Sequence, residues 1–298
     1  MSNILITGSS GLLGSSLVEK LSAESHDLYC ISRKNKFLSN NIHPINIDLS
    51  SDFDIQQLPN EIDVIYHLAQ SDRFREFPEG AMDVFNVNIQ STAKLLEYAR
   101  TTGIKKFIYA SSGGVYGTSV SPFHENSPIN PPGALGYYLG SKACSEILVQ
   151  SYASEIQVVI VRPFFVYGLE QNRSMLIPRL FDNVASGNHI QLSGENGIRI
   201  NPIHVTDAVN ALIAVSKTSE SRTYNLGGPE VLSIREIGEL FGKYLGKGPI
   251  FDFSNGSPQY LLGDISLMSK ELCQPQIKLS EKVFELEIKS SFKSKKSS

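Results

Sequence analysis

The chain has 298 residues, 41% hydrophobic and 19% charged, with a formal net charge of −3. That balance describes a globular protein with chain enough for one large core or two modest domains, and it gives no electrostatic ground for a nucleic-acid partner or an anionic membrane surface. No apolar run approaches the ~20 residues that span a bilayer. The opening MSNILITGSS lacks the basic region of a signal peptide. Cys30, Cys144 and Cys273 are odd in number and far apart, so reduced thiols and a cytoplasmic location are expected. The six histidines show no ligand spacing, and no metal is expected.

In chain order, β-rich apolar runs stand at 3–7 (NILIT), 28–32 (LYCIS), 63–69 (DVIYHLA), 106–111 (KFIYAS) and 157–163 (QVVIVRP). Helical periodicity separates several of them. Leu13, Leu17, Val18 and Leu21 share one face; Ile89, Ala93, Leu96 and Ala99 share another, closed by Gly103 as a C-cap. Near-continuous apolar strands alternating with helices give an α/β, doubly wound parallel-sheet Rossmann domain. Past Pro163 the pattern loosens and is richer in Pro, Gly and polar residues, apart from a helix and a strand within 202–228. The expected division is therefore a dinucleotide-binding domain of 1–163 plus 203–228 and a smaller C-terminal substrate-binding lobe of 164–202 plus 229–285. The basic, Ser-rich stretch 286–298 reads as a disordered tail.

TGSSGLLG follows the first strand directly and opens the first helix. Gly8, Gly11 and Gly14 supply a tight turn, a backbone that a pyrophosphate can approach, and close helix–strand packing. The helix N-terminus adds free N–H groups and positive potential. After the second strand, where a carboxylate would hold the ribose hydroxyls of NAD, stand Ser32, Arg33 and Lys34. Arg33 suits a 2′-phosphate, which favours NADP(H) while leaving NAD(H) open. Asp48, followed by Leu49, suits either the adenine amine or a helix cap.

YYLGSK places Tyr138 four residues before Lys142. On a helix these side chains share a face, where an ammonium would pull a phenol pKa below its usual ~10 and make it an acid or base for catalysis.

Seven ordered motifs then carry a resemblance. They are TGxxGxxG at 7–14, HLA at 67–69, NVN at 86–88, SSxxVYG at 111–117, YxxxK at 138–142, RPxxVYG at 162–168 and RINPIHVTD at 199–207. Over roughly 3–245 the chain resembles the extended short-chain dehydrogenase/reductases, in their nucleotide-sugar epimerase/dehydratase/reductase branch. The resemblance implies that Tyr138 exchanges a proton with the substrate oxygen while hydride moves to or from the nicotinamide. Lys142 would hold the nicotinamide ribose, and Ser112 would hydrogen-bond the reacting oxygen. It also implies a cofactor lining of Gly8, Ser10, Gly11, Leu12, Leu13, Gly14, Ser32, Arg33, Asp48, Leu49, Leu68, Ala69, Tyr138, Lys142 and Pro163. Ser112, Gly113, Phe165 and Arg199 would meet a nucleotide-sugar substrate, with Arg199 on its diphosphate. Asn88 would order the site or cap a helix, Glu125 would touch substrate or cap a loop, and His67 reads as packing.

Gly113 and Gly114 occupy the positions where dehydratases and decarboxylases of the family carry acids, which argues against both activities. Redox at a single sugar carbon, C4, remains. Arg33 leans this toward a 4-keto reductase using NADP(H); an NAD-dependent 4-epimerase is the alternative, and a non-catalytic NADP-binding sensor a remote one. Phe165 stands where the family often has an Asn on the diphosphate. The helices at 89–100 and 141–152 are expected to pair in a homodimer.

Overall fold

The computed structural model describes residues 2–33, 39–131, 135–257 and 259–287. The chain runs β1 (Asn3–Thr7), α1 (Leu12–Ser22), β2 (Asp27–Ile31), β3 (Ile42–Ile45), β4 (Val64–His67), α2 (Ala81–Val84), α3 (Ser91–Thr102), β5 (Lys106–Ala110), α4 (Gly136–Ser151) and β6 (Gln157–Pro163). There follow α5 (Leu176–Ser186), β7 (His189–Ser193), β8 (Arg199–Ile200), α6 (Val205–Ser216), β9 (Arg222–Leu226), β10 (Leu232–Ser233), α7 (Ile234–Leu245), β11 (Ile250–Ser254), β12 (Tyr260–Leu261) and α8 (Ser266–Glu271).

Two compact units form. The first comprises the described residues up to Gly117, Pro128–Arg162 and Val209–Tyr224; the second comprises Thr118–Ser127, Pro163–Ala208 and the described residues from Asn225 onward. Residues 118–127, Pro163, 203–208 and 225–228, grouped by sequence with the first domain, fall in the second unit.

The first unit is built on a seven-stranded sheet of order β3-β2-β1-β4-β5-β6-β9. Pairing is parallel from β3 through to β6. All five residues of β5 are buried, as strands covered on both faces require. Strand order reverses between β1 and β4, the switch point beyond which ligands of such sheets bind. Leu17, Val18 and Leu21 of α1 are buried as their spacing predicts.

The face of α3 differs from expectation. Thr92, Leu95, Leu96 and Ala99 are buried, while Ala93 is exposed. The cause is polar: a π-helical turn at Phe85–Gln90 leads into α3, and Asn88, Ser91 and Thr92 point inward. Hydrophobic periodicity does not count such residues as core.

The second unit holds more regular structure than its composition suggests. Its core gathers Tyr167, Ile177, Phe181, Ile190, Ile200, Ile237 and Phe241. Strand β11 pairs in parallel with β7, and β8 lies between β10 and β12. Leu286 is 2% exposed within this core and so is no part of a polar tail. The rest of that expected tail, from 288, lies outside the described residues, as does Lys34.

Candidate functional site

The glycine turn behaves as its spacing predicts. Gly8 has φ +66°, and a Cβ there would come within 2.8 Å of the Ala69 nitrogen at the end of β4. A Cβ on Gly14 would lie 2.1 Å from the Gly8 carbonyl oxygen, so only glycine lets α1 pack this closely on the turn. Gly11 is the N-cap of α1 and offers no side-chain acceptor; a Cβ there would meet only the Gly8 oxygen, at 3.3 Å. The first N–H groups of an eleven-residue helix are thus left without a side-chain cap, which fits a pyrophosphate. Ser10, Leu12 and Leu13 are half-buried in the same turn. Ser9 ties it to β2 by donating to the Ile31 carbonyl at 3.2 Å.

Beyond β2, Ser32 is buried and its N–H donates to the Ile45 carbonyl at 3.2 Å. Arg33 is exposed and pairs with Asp72. The cation expected to meet a 2′-phosphate already has a carboxylate partner, 39 residues away in sequence. Asp48 accepts from Ser50 N at 2.9 Å and Ser50 Oγ at 2.7 Å, bonds that hold its carboxyl below the usual range. Asp48 thus caps the turn at Leu49–Ser50 rather than the next helical turn, Ile55–Gln57, which Asp54 caps. Leu49 is buried in the core of this unit. Leu68 and Ala69 pass close beneath Gly8, and the Ala69 N–H donates to Thr7 Oγ1 at 3.2 Å.

Ser112, Tyr138 and Lys142 all lie in the first unit. Ser112 caps a 3-10 turn at Gly113–Tyr116, its Oγ accepting from Gly114 N at 3.1 Å. Strand alternation separates it from Ser111, whose buried Oγ has no partner among the described residues. A Cβ on Gly114 would meet Leu139 at 2.9 Å and Ser112 Oγ at 3.3 Å, so the glycine here also serves packing. Tyr138 is 8% exposed and packs at a tilt of 51° against Phe74, 4.9 Å between centroids; its hydroxyl donates to Gln70 Oε1 at 3.0 Å. Lys142 is 1% exposed and donates to the Ala110 carbonyl at 2.9 Å.

The electrostatics correct one expectation. Burial pushes the Tyr138 phenol up to about 12, opposed by a hydrogen bond with Ser112 and the charge of Arg75. Burial likewise pushes Lys142 down to about 7, opposed by Glu146. The shared helix face is present, but the lowered phenol that it suggested is not. Desolvation outweighs the rest because both groups are sunk beneath the helix surface.

Helix α4 is locked in place by a buried ion pair. Arg162 on β6 donates from Nε to Glu146 Oε1 at 2.9 Å and from a terminal nitrogen to Oε2 at 2.5 Å. Nothing in the sequence motifs drew attention to Glu146 or Gln70.

In the second unit, Pro163 closes β6. Phe165 has φ +47°, unusual for an aromatic residue, and packs against that unit's core. Arg199 on β8 is half exposed, 3.5 Å from Glu236 Oε2 and 3.4 Å from the Val231 carbonyl. Glu125 accepts from Asn225 N at 3.0 Å, the loop-capping role.

A strand–glycine turn–helix at the sheet switch point, with serine, tyrosine and lysine in the same unit, defines an enzyme of the short-chain dehydrogenase/reductase class. More narrowly, the chain belongs to the NAD dependent epimerase/dehydratase family, whose model matches residues 4–227. It is 30% identical over 251 residues to a UDP-N-acetyl-alpha-D-glucosaminuronate decarboxylase of Bacillus cytotoxicus, covering 79% of this chain and 78% of that protein. It is 28% identical over 285 residues to an uncharacterized UDP-glucose epimerase of Bacillus subtilis, covering 88% and 89%. Among solved structures, the UDP-glucuronic acid 4-epimerase of Bacillus cereus in complex with UDP-glucuronic acid and NAD superposes with a TM-score of 0.86, at 26% identity, over 97% of this chain and 99% of that one. The family is described as NAD dependent and the 4-epimerase structure holds NAD, so the preference for NADP(H) that Arg33 suggested finds no support there.

Proposed function

We propose that this protein is an NAD-dependent 4-epimerase of a nucleotide sugar, its substrate a uridine-diphosphate hexose or hexuronic acid. One observation carries the reading: Ser112, Tyr138 and Lys142 stand in a chain that matches, almost end to end, a 4-epimerase complexed with UDP-glucuronic acid and NAD. The glycines at 113 and 114 support it, because they offer no carboxylate for eliminating water or carbon dioxide. The description of the family as NAD dependent supports it as well, because the reductase reading rested on NADP(H).

In this reading Tyr138 takes the proton of the sugar 4-hydroxyl and returns one once the sugar has turned over in the site. Ser112 hydrogen-bonds the same oxygen and, with the charge of Arg75, favours the phenolate that this step needs. Lys142, fixed on Ala110, holds the nicotinamide ribose and supplies positive charge when protonated. The glycine turn, Ser32, Asp48, Leu68 and Ala69 would hold NAD, which would supply the hydride acceptor and donor for C4. A second copy pairs through α3 and α4, where Ile147 is 63% exposed.

The test is to denature freshly purified protein and identify the dinucleotide released. Stoichiometric NAD, together with interconversion of C4-epimeric UDP-sugars that Tyr138→Phe abolishes without losing the dinucleotide, is the expected outcome. An empty protein that turns over only with added NADPH contradicts the reading.

A further inference from the structure

His67 ends β4 with both ring nitrogens buried and engaged. Nδ1 lies 2.7 Å from Thr7 Oγ1, and Nε2 lies 2.9 Å from Thr92 Oγ1. Counting protons fixes the direction of each bond. The Thr92 hydroxyl donates to the Asn88 carbonyl at 2.6 Å, since a carbonyl has no proton to give. A hydroxyl has one proton, so Thr92 accepts from the ring, and Nε2 carries the hydrogen. At the other end, Thr7 Oγ1 accepts the Ala69 N–H and gives its own proton to Nδ1. A neutral imidazole protonated on Nε2 satisfies every member of the chain. Burial and the nearby Lys142 charge resist a second proton, holding the ring down at about 3.

The chain of bonds continues to the catalytic helix. Asn88 lies in the π-helical turn, and its carbonyl also accepts from Ser145 Oγ on α4 at 2.7 Å, a proton that Ser145 shares with the Ser141 carbonyl at 2.9 Å. Its side-chain amide donates to Ser141 Oγ at 2.8 Å, and Ser141 Oγ donates to the Tyr138 carbonyl at 2.7 Å. The His67 ring also sits 5.7 Å from the Tyr109 ring, over which the Lys142 ammonium rests at 5.1 Å. One imidazole therefore joins the residue before the glycine turn to the helix that carries Tyr138 and Lys142.

We infer that His67 is a positioning residue: by donating from Nε2 to Thr92 it fixes the Asn88 carbonyl and amide that hold α4, and so sets Tyr138 and Lys142 against the glycine turn. The kinetic arm of its test rests on the epimerase reading; the spectroscopic arm does not.

In full-length protein labelled with ¹⁵N-histidine, the His67 ring should carry its proton on Nε2 and stay unchanged from about pH 5 to 8. An Nδ1–H tautomer, or titration in that range, overturns the inference. Thr92→Val keeps the shape of the side chain and removes the hydroxyl that joins ring to turn. It should lower kcat at least tenfold with KM changed less than threefold, and should displace the Tyr138 ring-carbon signal. His67→Gln, whose amide N–H can reach Thr92, should recover most of the kcat that His67→Phe loses. Wild-type kcat in Thr92→Val overturns the inference. If wild-type protein turns over no UDP-sugar, the epimerase reading fails by itself; the Tyr138 signal then decides, displaced by Thr92→Val in support or undisplaced against.

Discussion

Lys142 follows Tyr138 by one helical turn, yet its ammonium is bound to the Ala110 carbonyl at 2.9 Å, on the last residue of β5. The lysine is thus anchored to the sheet, and both side chains sit where burial favours their neutral forms. Between about 7 and the ordinary 10.5 the unfolded chain holds a proton on Lys142 that the folded chain has released. Folding stability should therefore rise with pH across that window, with the burial penalty fully present below it. Lys142→Met should flatten the rise, read from urea unfolding between about pH 6 and 9. A variant with the same slope as wild type would contradict the burial assignment.

Gln70 acts on the same chemistry from the other side. Its Oε1 accepts the Tyr138 proton at 3.0 Å, a bond available only to the neutral phenol. A neutral hydrogen bond contributes about 0.5–1.5 kcal/mol net, so Gln70→Leu should move the phenol downward by up to about one pH unit. The limb of the kcat–pH profile that reports Tyr138 ionisation should move to lower pH. An unmoved or raised limb would mean that the bond does not control the phenol.

The buried Arg162–Glu146 pair exposes only 3% and 1% of its side chains. Removing one partner leaves the other charge uncompensated, a loss of about 3–5 kcal/mol. Glu146→Ala should lower unfolding stability by that amount, and it should disturb turnover because Glu146 shares α4 with Tyr138. A loss below about 1 kcal/mol would show that water or a shifted side chain replaces the pair.

Two glycines separate packing from backbone conformation. Gly14→Ala drives a Cβ to 2.1 Å from the Gly8 oxygen, so the turn must move; overpacking of this kind costs about 1–3 kcal/mol. Dinucleotide affinity, measured by calorimetry, should fall with it. Gly103→Ala has open space but φ +72°, so it should cost about 1–2 kcal/mol of stability and leave dinucleotide affinity unchanged. Equal effects of the two on binding would mean that the glycine turn is not the dinucleotide site.

The parts of this protein that depend on local spacing were legible in its sequence. Gly8 and Gly14 announce their turn because the positive φ of one and the close approach of the other to it lie within seven residues. The strand runs announce the sheet because burial on both faces makes them uniformly apolar. What stayed hidden depends on partners far along the chain. Arg33 reads as a phosphate-binding cation, and nothing near it in sequence shows the exposed Asp72 that pairs with it. Ala93 reads as core until the inward-facing Asn88 and Thr92 turn α3 by a different face. The shift of Tyr138 reads as downward from Lys142 alone, and reverses once the depth of the site is known. Leu286 looks like the start of a polar tail until the core that receives it is seen.

In the proposed reaction, hydride leaves and returns to the same sugar carbon on a cofactor the protein keeps. The most direct measurement is to supply UDP-sugar deuterated at C4, with no added dinucleotide, and to examine the product by mass spectrometry and NMR. The account predicts a C4 epimer that retains the deuterium at C4. Loss of the label, or product formed only when NADPH is added, would contradict it.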